Sequence, residues 1–343
     1  MTDRSLLEAA EPAAEAEDAA AEAAGGPRVD RRALLRGAGA AGFGALVGAT
    51  IPFEAGMPPG YVPVALAQDG DLDALGRKEG LRVLGERPLN AETPPPLLDP
   101  DVTPIRHFFI RMNGLMPDTA RAMDAAGWTL RVDGEVENEL TLTIDDLKND
   151  FETVTQQLWL ECGGNGRSFF NPGASGNQWS TGAVGNAEWT GGRLRDVLNA
   201  AGLKPSAVYT GHYGNDMHLS GDPERTVISR GVPIEKAMSP ECMIAWEMNG
   251  EPVPPIHGFP LRLVVPGYPG SASQKYLNRI WVRDREHDGP KMTGYSYRVP
   301  AYPVAPGTEV PEEDMVVLTE MPVKSLITNP ATGVSAPTGQ PFE

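Results

Sequence analysis

A cysteine ends the apolar run Leu158-Trp159-Leu160-Glu161-Cys162, two glycines follow at once, and Arg167 stands five residues on. A buried cysteine is ordinarily an inert small hydrophobe. One placed where a strand opens into a Gly-rich loop is positioned to act, as a nucleophile or as a ligand to a soft metal. A nucleophilic thiol needs a histidine base. The five histidines (107, 212, 218, 257 and 287) are scattered, and the sequence does not say which would serve. Only His212 and His218 are close together, and without cysteines nearby they read as loop polarity rather than a zinc site.

Several basic residues border apolar stretches in the same way. Arg111 follows His107-Phe108-Phe109-Ile110, where a guanidinium can sit beside an apolar cavity and bind an oxyanion. His257 and Arg262 lie on the approach to and at the start of an apolar strand in HGFPLRLVVPG, with Lys275 just beyond it. Unpaired buried charge is costly, so these groups require an anionic partner or a path to solvent. A phosphorylated, anionic cofactor satisfies His257, Arg262 and Lys275 together. The motifs for covalent haem (C-x-x-C-H), for the HExxH zinc site, for the P-loop and for the G-x-S-x-G elbow are all missing from the sequence.

The elements that must hold these residues read as an α+β layout of short strands and a few short helices. Residues 128–150 spell a strand, a turn around Asp133-Gly134, a second strand and a helix capped by Thr143. FETVTQQLWLEC is a strand running into a core, and 190–205 is a helix from Thr190 to a stop at Gly202. MIAWEMNGEPV and LRLVVPG are strands, with Asn249-Gly250 turning after the first. QKYLNRIWVRD is a helical turn leading into a strand, and Met315–Leu318 is strand-like. Residues 68–104 form a Pro-rich approach segment expected to lie over a surface, 105–330 the main domain, and 331–343 a tail.

Composition bounds the rest. Gly 39 and Pro 33 favour turns and strands over a helical bundle. A formal charge of −17 argues against nucleic acid as a partner and suits a basic protein partner. Residues 1–67 are an acidic Ala-rich leader followed by Arg31-Arg32, a short Gly/Ala-rich apolar run and an A-x-A site at 65–67. The run is a poor membrane span, and the whole reads as a twin-arginine export signal, which predicts a periplasmic protein folded around its cofactor before export. Cys162 and Cys242 are the only cysteines, so at most one bridge can form.

Four linked segments, LECGGNGRSFF, QWSTGAVGNAEWTGGRLRDVLNAAG, EMNGEPVPPIHGFPLRLVVPG and SASQKYLNRIWV, resemble the sulfite oxidase family in order and spacing, over residues 105–330. Within it the chain is most similar to bacterial exported sulfite and sulfane dehydrogenases. The resemblance implies a molybdenum–molybdopterin cofactor with Cys162 as its thiolate ligand, and no haem in this chain. It implies Arg111 and Arg167 as substrate-pocket arginines and Trp179 as a pocket tryptophan. Tyr295 is the expected active-site tyrosine, with Tyr297 its rival. Asn113, His257, Arg262, Ser273 and Lys275 fall where the family binds the pterin and its phosphate. Asn113 stands where many members carry a histidine. Glu343 comes about where the family's immunoglobulin-like dimerisation domain begins, so the resemblance leaves that domain out and the oligomeric state open.

The implied activity is oxidation of sulfite, or a related sulfur oxyanion, to sulfate, with electrons passed to an external c-type cytochrome. A sulfoxide or other S/N-oxide reductase on the same scaffold is the alternative, and a non-catalytic partner subunit a second one.

Overall fold

The computed structural model describes residues 78–293 and 295–329. The leader and the tail beyond residue 329 lie outside the described residues. Three antiparallel strands open the described chain: β1 (Arg82–Glu86), β2 (Leu89–Glu92) and β3 (Ile110–Arg111). The segment expected only to cross a surface thus contains a hairpin, with Asn90, Ala91 and Glu92 buried. Glu92 explains its own burial: it accepts from Arg82 and from both the backbone N–H and the hydroxyl of Ser180. A buried carboxylate is stable when hydrogen-bonded in this way.

After the short helix α1 (Asp118–Arg121), β4 (Thr129–Gly134) and β5 (Leu140–Thr143) pair antiparallel, and α2 (Ile144–Asp150) follows directly. Thr143 caps α2 as expected: its hydroxyl accepts from the Asp146 N–H at 3.1 Å, and the Asp146 carboxylate accepts from the Thr143 N–H. β6 (Thr153–Glu161) and β7 (Val184–Arg193) then form a long antiparallel ladder, from Thr153 opposite Gly192 to Glu161 opposite Val184.

The helix expected from Thr190 begins only at Leu194, as α3 (Leu194–Ala201). Residues 190–193 stay extended because β7 is a central strand, paired with β6 on one side and with β10 (Met243–Met248) on the other. Gly191 permits that contact, since a Cβ there would meet the Ile244 carbonyl. Gly202 ends the helix at φ +72° with its N–H on the Leu198 carbonyl.

β10 reads as continuously apolar because both of its faces are covered. Ile244 and Trp246 join one core, with Leu130, Leu198 and Ile280, while Met243, Ala245 and Met248 join the other, with Phe108, Trp179 and Trp189. The Asn249-Gly250 turn has φ of +52° and +77°, the type I′ geometry that Asn-Gly favours. It leads to β11 (Glu251–Pro252), and β12 (Arg262–Val264) pairs with β10 on the same side as the site.

A second five-stranded sheet runs β5–β4–β13–β8–β9, with β8 (Tyr209–Gly214), β9 (Gly231–Pro233) and β13 (Leu277–Arg283). Only the β13–β4 pair is parallel in it. The helix α4 (Ile234–Ala237) follows β9. The helical turn read into QKYL lies earlier, at Gly270–Ala272, while Tyr276 takes a left-handed backbone (φ +53°) just before β13. A ribbon of β14 (Arg298–Pro300) and β15 (Met315–Val317) completes the chain. The whole is a mixed α+β fold. Among the described residues no helix is long and apolar enough to cross a membrane.

Candidate active site

The site is a cleft of about 710 Å³, part of it open to solvent, where the end of β6, the flanks of β3, the approach to β12 and the lead-in to β13 converge. Cys162 lines it and is 7% exposed. Its loop is pinned by backbone and side chain: Cys162 N–H donates to Ala183, and the Asn165 N–H returns to the Cys162 carbonyl. The Asn165 amide oxygen accepts from Ala183 N–H, while its NH2 donates to Glu161. Both cysteines are free thiols, so no bridge forms. Among the described residues no three His, Cys, Asp or Glu converge, and Cys162 is the one thiol lining the cleft.

Arg111, Asn113, His257, Arg262, Ser273 and Lys275 line the same cleft. The β1–β2 hairpin holds the first of them: the Asn90 amide oxygen accepts from the Arg111 guanidinium at 3.2 Å and from the Met112 N–H at 3.1 Å. Arg262 donates to the carbonyls of His257 (2.9 Å) and Ser273 (3.2 Å), and its guanidinium lies 5.0 Å from the centre of the buried Trp189 ring. Lys275 donates to the carbonyls of Ile256 (2.7 Å) and Arg111 (3.0 Å). The Ser273 hydroxyl accepts from Val265 N–H. Gly258 makes this crowding possible: its φ is +115°, and a Cβ there would lie 3.0 Å from Lys275 and 3.2 Å from Arg262.

Among the described residues these cations have no carboxylate within salt-bridge range. Burial pushes the Lys275 ammonium well below the usual lysine range, and the charges of Arg262, Arg111 and Lys78 push it further. Burial also lowers His257 far below the imidazole range, aided by Lys78 and Lys275. Arg262 falls to about 10 through burial. The cleft's carboxylate is Asp216, raised to about 6 by burial against the pull of Lys275 and Lys291.

Three sequence-stated residues lie apart from the cleft lining. Arg167 folds over its own loop, where it donates to the Asn177 carbonyl, and a Cβ on Gly164 or Gly176 would come within 2.8 Å or 2.6 Å of its guanidinium. Trp179 is 1% exposed and packs edge-on to Phe109, which does line the cleft. Tyr295 is 53% exposed, whereas Tyr297 lines the cleft with the Arg230 guanidinium 4.9 Å from its ring centre. Sequence reading also passed over Asp216, Ser271, Gln274 and Tyr276. Gln274 and Ser271 adjoin named residues and were within reach. Asp216 sits in a polar loop with no pattern to mark it.

The residues present fit the cofactor that the cleft chemistry implies. Asn113 Oδ1, Arg262 Nε, Ser271 Oγ and Gln274 Oε1 are buried without a hydrogen-bond partner, and all four residues line the cleft. Unsatisfied buried polar atoms are rare and cost about 1–3 kcal/mol each. Two acceptors, a donor and a hydroxyl beside buried cations and a thiol match a polar heterocycle carrying an anionic group and a soft metal.

Residues 116–291 match the family model described as the oxidoreductase molybdopterin binding domain. Rat mitochondrial sulfite oxidase is 35% identical over 277 residues, covering 77% of this chain and 48% of that protein. Chicken sulfite oxidase is 33% identical over 290 residues, covering 83% and 62% respectively. A barley NAD(P)H nitrate reductase is 33% identical over 228 residues, covering 64% and 24%. The chain thus spans about half the length of the mammalian relatives it matches. The crystal structure of the sulfane dehydrogenase SoxCD from Paracoccus pantotrophus shares the fold, with a TM-score of 0.58 at 24% identity over 83% of this chain and 68% of that one. This protein belongs to the sulfite oxidase family of molybdopterin-binding oxidoreductases.

Proposed function

We propose that this protein is a periplasmic molybdenum-dependent dehydrogenase that oxidises sulfite, or a closely related sulfur oxyanion, to sulfate. The observation that carries this reading is one cleft uniting a cysteine with Arg111, His257, Arg262 and Lys275 and bordered by one carboxylate, Asp216. Sulfite and water become sulfate, two protons and two electrons. When bound, the molybdenum cofactor supplies a metal that accepts the electron pair as oxygen passes to sulfur.

The chain's own residues do the rest. Cys162 holds the metal as a thiolate, since a coordinated thiol is deprotonated. His257, Arg262, Ser273 and Lys275 would take the anionic end of the cofactor, and the unpartnered oxygens of Asn113 and Gln274 would accept from its ring. Arg111, fixed by Asn90, receives the oxyanion through charge-assisted hydrogen bonds. Phe108, Phe109 and Ile228 wall the cleft and exclude water, which strengthens those bonds. Tyr297 offers a phenol at the wall. The role of Arg167 as a second substrate arginine is part of this proposal.

The proposed acceptor is an external c-type cytochrome, for which the acidic chain suits a basic partner. The test is turnover of purified, molybdenum-loaded protein with sulfite and oxidised cytochrome c, beside methionine sulfoxide and nitrate with a reduced dye. Sulfite-dependent cytochrome reduction supports the proposal. Turnover only of the oxides, as the names of the nitrate reductase relatives suggest for that part of the family, overturns it in favour of a reductase.

A further inference from the structure

Lys78 lies ahead of β1, outside the residues matched to the molybdopterin-binding family. Its ammonium is buried, and its neighbours are unusual for a lysine. Nζ lies 2.6 Å from Nε2 of His257 and 2.7 Å from the Phe108 carbonyl oxygen, and it also reaches the carbonyl of Ile105. No carboxylate is among them.

An ammonium has three N–H donors and no lone pair. Two of its neighbours are carbonyls, which only accept. The third is a ring nitrogen, which accepts only when the imidazole proton sits on the other nitrogen. We propose that Lys78 is a positioning residue of the cofactor cleft: with the anionic cofactor bound it is held as an ammonium, donates to His257 Nε2 and fixes the imidazole proton on Nδ1.

The surroundings of the ring agree. Burial keeps His257 neutral, so its tautomer decides which nitrogen donates. Phe108 packs edge-on against the imidazole with centroids 5.3 Å apart, and the His257 carbonyl is held by Arg262. Lys275 and Arg262 are the other charged groups acting on the ring, and both are cations. Desolvation pushes the Lys78 ammonium well below the lysine range, and an anion at the neighbouring site opposes that push. The same logic that orients metal-bound histidines through an outer partner orients this one.

This inference rests on the cofactor reading and not on the identity of the substrate. The experiment is 15N NMR of histidine-labelled holoenzyme to read the His257 tautomer, with molybdenum and pterin content followed during dialysis for wild type, Lys78→Met and Lys78→Arg. Nδ1 protonated and Nε2 bare in wild type is expected. Cofactor loss about tenfold or more faster in Lys78→Met is also expected, with partial rescue by Lys78→Arg, from the worth of a hydrogen bond to a charged group. A protonated Nε2 in wild type, or retention by folded Lys78→Met at the wild-type rate, overturns the proposal. Should Lys78→Met fail to fold, the wild-type tautomer decides alone. A loaded wild type that turns over no sulfite refutes the substrate reading and leaves these results standing.

Discussion

Removing the Lys275 ammonium by Lys275→Met should affect the protein very differently with and without cofactor. Without it, the change strips a partner from the carbonyls of Ile256 and Arg111, a loss of about 1–2 kcal/mol in total. It also relieves the burial of an ammonium that is already pushed well below the lysine range, the Asp216 charge opposing that push only in part. The two terms oppose, and the net change in apo stability is expected within about 1 kcal/mol. With an anion bound, the same substitution breaks a buried charge pair, worth about 3–5 kcal/mol, or roughly two to four decades of cofactor affinity. The assay is urea denaturation of apo and loaded protein, with molybdenum content measured after dialysis. A loss of stability equal in the two forms would refute the reasoning, as would full retention of molybdenum by the variant. Either result would mean that Lys275 is a structural brace and not an anion-binding group.

Other consequences can be checked separately. Tyr297→Phe should lower turnover by about 100-fold or more, the usual worth of a positioned proton-transferring group, while the exposed Tyr295→Phe stays within about twofold in steady-state kinetics. Gly258→Ala forces a side chain onto a φ of +115° and against Lys275 and Arg262, so it should cost about 1–3 kcal/mol in urea denaturation and lower cofactor content. His212 and His287 are buried as neutral rings: desolvation and then the charge of His287 lower His212 to about 3, and desolvation and then Arg283 lower His287 to about 4. The unfolded chain binds protons at these sites from about pH 6.5 downward and the folded chain does not. Their stabilisation is therefore complete above about pH 6.5 and lost as pH falls towards 4, roughly 2 kcal/mol per histidine at pH 5. Urea midpoints at pH 7.5 and 5.0 test this, and the drop should shrink in His287→Gln; coincident curves would show that these rings are not buried neutral.

What the sequence made legible was the local chemistry. The Thr143 cap, the Asn249-Gly250 turn and the strand ending at Cys162 are each specified by neighbouring residues, and each appears where the pattern places it. The start of α3 is decided by strands distant in sequence: Thr190–Arg193 are claimed by pairing on both sides, and Gly191 and Gly192 within them are poor helix formers. The hairpin at 82–92 was obscured by Pro88 within it and the prolines at 94–96 that follow, although it positions Arg111 through Asn90. In the site, Cys162 and the basic residues bordering apolar runs were readable because burying them demands a partner. Asp216 and Lys78 were not, because an isolated charge in a polar segment carries no sign that the fold will bury it. The choice between Tyr295 and Tyr297 turns on a single left-handed residue, Tyr297 at φ +56°, beside the ribbon.

The most direct measurement is the molybdenum content of the purified wild type beside Cys162→Ser, with sulfite-dependent cytochrome c reduction run on the same samples. About one molybdenum per chain in the wild type is expected, with sulfite turnover. The variant should be folded but depleted of metal and inactive. A folded wild type that binds no molybdenum, or a Cys162→Ser protein that keeps both metal and turnover, would contradict the assignment of this cleft as the cofactor site and Cys162 as its ligand.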